Sequence, residues 1–521
     1  MQLHHHLQEM MEKYLVIQHE ILDQIISFFH KNIKPYISHG FEYLLFQINP
    51  YWHHLFYYIT ISFLGYISLK GTKQSSSLAS NPHHDLDLDL IFTSVSATTI
   101  SSMSTVEMED FTSTQLIVLV ILMFSGGEVF LSLLGLQIRR LKHKRRARNH
   151  ALNPNPTSEG EGIKSKTLRV LNHVVLGYIL VSHILGYISV SLYMNIISSA
   201  NNVHVIKKID SHLFSIFVIV STFANCGFIP INENMMPFNK NSGLLLILIP
   251  QILMGNKLYP SCLRVVIWVL EKFTGKEEYN YMLRNHDDLG YGNLISSFKA
   301  FLLSFTAIGL VMIQFLVFTT LEWNSLVFQG QNWYTKIVGS LFQTVNSRHS
   351  GESIVDVSLL QPATLALFVV MMYLPSTTIF VPIGYDKEST LLAENRQSKS
   401  SKKQKQESNI LKNLTFSPLS YLAIFVMLIC ITEQSSLKQD PLNFTVFNII
   451  VEVVSAYGNV GFSMGYSCKR RLDNFSNCKD SYYGFVGRWS WKGKFLLIFV
   501  MLFGRLKRFH FNSGNAWKLT F

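Results

Sequence analysis

The sequence predicts an all-α polytopic membrane protein, with eight transmembrane helices set out as four helix–pore loop–helix repeats around one pseudo-fourfold axis. Three observations predict it. Long apolar runs recur in pairs. Each pair brackets a short stretch too rich in Gly, Ser, Thr and Asn to span a bilayer. Charged linkers separate the pairs.

The bulk numbers agree. The chain has 521 residues, 48% hydrophobic and 15% charged, against about 25% charged in soluble chains. Mean hydropathy is only +0.22, so the membrane reading rests on segments. The net charge of +12 gathers largely in linkers beside apolar runs, which fits the positive-inside rule. No basic patch interleaves with aromatics in a foldable soluble domain, which excludes nucleic acid as a partner. The five cysteines form no zinc spacing. Cys468 and Cys478 share one loop and pair if it faces an oxidising lumen; free thiols are equally ordinary there.

In chain order, residues 1–40 form a cytoplasmic arm without a cleavable signal, and the His4–His6 run is a chance feature. Repeat A covers 41–148. Its first span is Tyr43 to Leu69, without Asp, Glu, Lys or Arg, long enough at 1.5 Å per residue for a ~30 Å core. Its dip is Ser94 to Glu109, and its second span is Phe111 to Ile138, interrupted only by Glu128. Seven Lys/Arg in Arg139 to Arg148 mark the cytoplasm. A basic linker, 149–168, leads to repeat B (169–270), with spans Val170 to Ile197 and Leu244 to Leu270. Linker 271–295 leads to repeat C (296–387), with spans Phe301 to Leu321 and Leu359 to Ile383. A Lys-rich linker, 388–412, is low in complexity and expected to be disordered. Repeat D (413–521) holds spans anchored on Ser420 to Ile431 and Phe495 onward, and a short tail. Both termini are then cytoplasmic and all four dips enter from outside, although the last external loop, Cys468 to Lys494, is itself basic.

The dips repeat. Ser221-Thr-Phe-Ala-Asn225-Cys-Gly227-Phe228 and Ser455-Ala-Tyr-Gly-Asn459-Val-Gly461-Phe462 share Ser, an aromatic, Asn, Gly and Phe at identical spacing. The third dip has His349-Ser350-Gly351, and the first is read with Met103-Ser104-Thr105 in that place. Non-helical backbone at membrane depth must be buried in protein or line water. Rings of carbonyls replace an ion's hydration shell. Glycine supplies the backbone conformations that aim them.

At these residues the sequence resembles the plant high-affinity potassium transporter (HKT) family of the Trk/Ktr/HKT superfamily. The motifs are SSMSTVEME at 101–109, ANCGFIPINENM at 224–235, VNSRHSGES at 345–353, SAYGNVGFS at 455–463, MGNKLYP at 254–260 and FGRLKRFH at 503–510. The resemblance implies one pore per chain, passive Na⁺ or K⁺ permeation without cofactor or enzymatic chemistry, a plasma-membrane location and a homodimer in lipid. It places the filter at Ser104, Gly227, Gly351 and Gly461, flanked by Thr105, Asn225, Ser350, Asn459 and Val460, with Na⁺ as the only metal. Relatives with Ser at the first position tend to prefer Na⁺. The same family also holds K⁺-permeable and Na⁺/K⁺ cotransporting members. A membrane receptor or enzyme is a rival of another class, but HExxH, Walker A and kinase motifs are absent.

Further residues carry expectations. Arg505 falls roughly 21 Å down the last span, where an intramembrane charge would line the inner cavity and oppose cations. Pro375, Ser376 and Thr377 interrupt the sixth span and read as a gate. Glu107 and Glu109 flank the outer mouth, either concentrating cations or pairing with Arg348 and neighbouring bases. Lys257, in GNKLYP, is expected to snorkel from a cytoplasmic helix end. Asn443 and Asn474 match glycosylation acceptors, the second better placed.

Overall fold

The computed structural model describes residues 50–73, 86–151, 158–374, 418–471, 478, 480 and 482–510. Four of the features anticipated above lie outside these residues: the N-terminal arm, the Pro375–Thr377 interruption, the Lys-rich linker and Asn474. A first unit ends at Tyr57, and a second, compact unit runs from Tyr58 to Phe521.

Among the described residues the regular elements are helices, and they follow one order four times. Repeat A has α1 (Pro50–Gly71), the short α2 (Leu86–Thr98), and α3 (Ser113–Gly126) continued by α4 (Glu128–Ala151). Repeat B has α5 (Ser158–Ile196), α6 (Ser198–Lys207), the short α7 (Ser211–Ala224), α8 (Ser242–Gly255) and α9 (Tyr259–Thr274). After α10 (Glu277–Arg284), repeat C has α11 (Ser297–Glu322), the short α12 (Trp333–Asn346) and α13 (Pro362–Tyr373). Repeat D has α14 (Pro418–Thr432), α15 (Gln434–Gln439), the short α16 (Val446–Gly458) and α17 (Trp491–His510).

The short helix of each repeat is the element the dips require. Each has 13 or 14 residues, roughly 20 Å, well below a bilayer core. These helices are buried nearly all round towards their C-terminal ends: every residue from Phe217 to Ala224 is buried in α7, and from Val451 to Tyr457 in α16. Two of them, α7 and α16, enter the protein interior behind a side-chain cap. Asp210 accepts from Leu213 N at 3.0 Å, and Thr445 Oγ1 accepts from Asn448 N at 3.1 Å, satisfying donors that a helix start leaves open.

Carboxylates tie paired helices where one ends and the next begins. Glu322, closing α11, accepts from Gln361 N at 2.9 Å and Thr364 Oγ1 at 2.8 Å at the start of α13. Glu433, just past α14, accepts from Ser490 N at 3.1 Å and Ser490 Oγ at 2.6 Å before α17. Repeats A and B use neutral groups for the same junction: Gln115 Nε2 donates to Leu69 O at 3.1 Å, and Ser199 Oγ to Asn241 Oδ1 at 2.6 Å. A carboxylate at a helix N-terminus also meets the favourable end of its dipole.

Two anticipated spans are not single helices. α3 and α4 meet at Gly126–Gly127 with a 57° bend, so Glu128 opens a new helix instead of interrupting one. α8 and α9 are bent by 89° across Asn256–Leu258. Among the described residues, two helices are long and apolar enough to cross a membrane, Ile163–Ile196 and Ser297–Glu322, and up to four if each bent pair is one span. Apolar side chains stay exposed along α5 and α11, including Leu180, Leu185, Phe305 and Ile313. That outward apolar face suits acyl chains.

Candidate ion filter

Each short helix delivers its chain to an irregular loop, and the backbone sets the register. Loop A turns left-handed at Ile100 (φ 52°) and Ser102 (φ 53°). Loop B does so at Asn225 (61°) and Gly227 (88°), and loop D at Asn459 (53°) and Gly461 (108°). Loop C has Gly351 at 67°. Equivalent main-chain bonds precede these turns: Ser101 N to Ser96 O at 2.8 Å, Cys226 N to Ser221 O at 2.9 Å, and Val460 N to Ser455 O at 3.0 Å. By this geometry Ser102, not Ser104, stands where Gly227 and Gly461 stand. Aligning the first dip on Met103-Ser104-Thr105 put it two residues out, because loop A lacks both the Asn and the Gly that anchor the motif.

The four loops close a ring by backbone contact. A Cβ added at Gly227 would overlap the Ser350 carbonyl of loop C. One at Gly351 would overlap the Val460 carbonyl of loop D. One at Gly461 would overlap Ser102 Cβ, with Ser101 O 3.0 Å away. Ser102 Oγ closes the circuit, 3.2 Å from where a Cβ on Gly227 would stand. Glycine is required at three positions by space as well as by φ. The ring opens into a vestibule of about 320 Å³ lined by Ser102, Ser104, Gly227, Gly351, Gly461 and Glu107, among others.

Asparagine locks two loops to the helices behind them. Asn225 Nδ2 donates to Ile252 O of α8 at 3.0 Å, and Asn459 Nδ2 to Met501 O of α17 at 3.2 Å. Asparagine is also among the few non-glycine residues that visit the left-handed region readily. Ile100 holds the place in loop A and has no such donor, but Asn459 Nδ2 reaches Ser101 Oγ at 2.8 Å instead. In loop C, Ser350 Oγ donates to Asn346 Oδ1 at 2.5 Å.

Ser104 and Thr105 lie further out. Ser104 O accepts from Gly484 N at 3.0 Å, and Ser104 Oγ bonds Val106 O, joining loop A to the loop before α17. Thr105 is fully buried. That loop carries the Cys468–Cys478 disulfide, with Cα atoms 5.8 Å apart, which settles the cysteine alternatives. Asn443 is buried and its Nδ2 donates to Asp440 and Ser467 O, a posture that leaves no room for a glycan.

Two buried carboxylates escaped the sequence reading. Glu352, next to Gly351, accepts from Thr222 Oγ1 of α7 at 2.6 Å and so links loops B and C. Glu452 of α16 accepts from Ser463 Oγ at 2.9 Å and Val486 N at 3.2 Å, and Ser463 Oγ accepts from Phe485 N at 2.7 Å. The available signal was an acidic residue inside an otherwise apolar stretch, IIVEVVSA.

Beside the vestibule Glu109 pairs with Lys207 at 2.7 Å, and Lys207 also meets Glu233 at 2.6 Å. Partial burial pulls the Lys207 pKa down, but its bonds to Glu109 and Glu233 outweigh this and leave it raised. Glu107 accepts from Asn232 Nδ2 at 3.1 Å and Tyr482 N at 3.3 Å. Pairing therefore dominates, although with Lys207 and not with Arg348, which is buried near the other end of loop C.

The helices behind the loops carry charge. Arg505 Nε donates to Tyr58 Oη at 2.8 Å and Nη2 to Gly126 O at 2.6 Å, at the α3–α4 bend. Lys507 Nζ lies 3.3 Å from Tyr457 O. Lys257 does not snorkel: it is 4% exposed, and its Nζ donates to the main-chain carbonyl of Arg348.

A family model described as TrkH, cation transport protein, matches residues 46–509. The cation transporter HKT1;3 of Oryza sativa subsp. japonica is 44% identical, over 97% of this chain and 99% of its own. The sodium transporter HKT1 of Arabidopsis thaliana is 46% identical, over 87% of this chain and 92% of its own. The crystal structure of the potassium transporter TrkH from Vibrio parahaemolyticus aligns with 88% of this chain and 82% of its own, at 14% identity and a TM-score of 0.48. These relatives are transporters and not enzymes. Through the family match and the two plant relatives, the chain belongs to the HKT cation transporters of the TrkH family.

Proposed function

We propose that this protein is a passive, channel-like uniporter that carries Na⁺ in preference to K⁺ through a filter formed by Ser102, Gly227, Gly351 and Gly461. The observation that carries the reading is the ring of four loops in which one quadrant alone bears a side chain. Ser102 brings Cβ against Gly461 and Oγ towards Gly227. K⁺, the larger ion, depends on a full set of carbonyl ligands in place of water. Na⁺ can keep a water or use the hydroxyl in the crowded quadrant. The relative described as a sodium transporter points the same way.

The wider arrangement follows the sequence reading: eight spans in a plasma membrane, both termini cytoplasmic, the vestibule outside and two chains per assembly. Its supports are the disulfide in the vestibule-side loop and the basic run from Arg139 on α4. Arg505, pinned at the α3–α4 bend, places fixed positive charge behind the filter and opposes outward passage of cations.

The test is the reversal potential in voltage-clamped cells while external Na⁺ and K⁺ are varied. A reversal potential that follows Na⁺ alone supports Na⁺ selectivity. One that follows K⁺ equally overturns it in favour of the K⁺-permeable mode.

A further inference from the structure

We infer that Lys257 is a built-in cation seated at the inner end of filter loop C, and that its charge limits cation passage there. The inference rests on the filter reading above and concerns a residue that reading does not use.

Lys257 lies in the break between α8 and α9, two residues beyond Gly255. Gly255 packs on the carbonyl of Phe223, in the last turn of α7. The chain leaves that turn towards the vestibule through Gly227, so the break lies on the opposite, inner side. Here Lys257 Nζ donates to the carbonyl of Arg348, two residues past the end of α12 and three before Gly351. The site is buried, and among the described residues Lys257 makes no ion pair. Its charged neighbours are the like-charged Arg348 and Lys507.

A buried ammonium without a carboxylate is costly. What offsets the cost is the C-terminal end of α12, where the helix dipole is negative and carbonyls lack helical partners. The same features attract a permeating cation. Lys257 therefore occupies a position that a Na⁺ arriving from the inner side would otherwise use. Lys507 on Tyr457 O repeats the arrangement in repeat D.

The experiment compares wild type, Lys257→Met and Lys257→Arg in full-length chains under voltage clamp with fixed internal Na⁺. Met keeps the length and removes the charge. The expected result is a rise of about fivefold in outward relative to inward current for Lys257→Met, equivalent to ~1 kcal/mol of barrier. Its reversal potential is unchanged, and Lys257→Arg behaves as wild type. Unchanged rectification overturns the inference. So does loss of current at normal surface abundance, which would make Lys257 a loop tether only. If Lys257→Met fails to reach the surface, Lys257→Cys is treated from the cytosolic side with an aminoethyl thiosulfonate. Rectification restored to the wild-type level by the reagent in Lys257→Cys, with no change in treated wild type, supports the inference, and failure to react overturns it. If wild type carries no Na⁺-dependent current, the filter reading itself fails; normal wild-type current with unaltered Lys257→Met fails only this inference.

Discussion

The backbone of Gly126 rests on the main-chain carbonyl of Thr98, four residues before Ser102. Gly255 rests in the same way on Phe223, four before Gly227, and Gly504 on Tyr457, four before Gly461. Three second helices thus use one glycine each to approach the end of the short helix in their own repeat. This spacing is independent of the loop conformations and reports the same register. It makes Ser102→Gly the informative substitution. Removing its Cβ and hydroxyl opens the crowded quadrant, so K⁺ permeability relative to Na⁺ should rise, with the reversal potential moving towards the K⁺ equilibrium value. Ser104→Gly should leave the ratio unchanged. If Ser104→Gly alone shifts it, the register given by the backbone does not describe selectivity.

The converse change tests the closeness of the ring. Gly461→Ala places a methyl on Ser102, and Gly227→Ala places one on the Ser350 carbonyl. Both positions hold φ values beyond the ordinary left-handed well, so strain of roughly 1–3 kcal/mol adds to the overlap. Both variants should lose most current at comparable surface abundance. Gly275, with a positive φ but nothing within 4 Å, is the control: Gly275→Ala should cost only the backbone term and conduct normally.

Much of this architecture was legible in the sequence, for physical reasons that differ by element. Loops B and D were found because two rare demands coincide there: a left-handed residue that also donates to a helix carbonyl selects Asn, and a backbone contact two residues on selects Gly. Loop A was misregistered because Ile100 and Ser102 meet the same backbone demands with other side chains. The bends at Gly127 and Asn256 were missed because a hydropathy window does not register a change of axis between apolar segments. Lys257 was misjudged because a lysine at a helix end usually reaches water. Nothing in its neighbours in sequence reveals the Arg348 carbonyl, contributed by another repeat.

Glu322 and Glu433 offer a stability test. Each is buried and accepts from a backbone N–H and a hydroxyl at the start of the partner helix. Hydrogen bonds to charged groups contribute about 1.5–3 kcal/mol, and a buried donor left unmatched costs more. Glu322→Ala and Glu433→Ala should lower the thermal midpoint of the detergent-solubilised protein, while the reversal potential of surviving current stays at the wild-type value. A selectivity change would mean that these junctions shape the filter itself.

Lys207 sets the charge of the outer mouth. Lys207→Met leaves Glu109 and Glu233 unpaired beside the vestibule and makes it more negative. Local cation concentration rises, so inward current at low external salt should increase, and the gain should shrink as ionic strength shortens the ~10 Å screening length at 0.1 M. The pH dependence follows from the raised pKa. Because Lys207 lies above its ordinary 10.5 in the folded protein, its stabilising bonds are fully present below that value and are lost only as pH rises through the folded one. Wild-type inward current should therefore show no step from deprotonation of Lys207 between roughly pH 6 and 9. Lys207→His brings the titration into that window: with an ordinary pKa near 6.5, raised in turn by the two carboxylates, its inward current at low salt should climb as the pH rises and the imidazole loses its charge. A flat profile in Lys207→His would show that charge at this position does not reach the permeating ion.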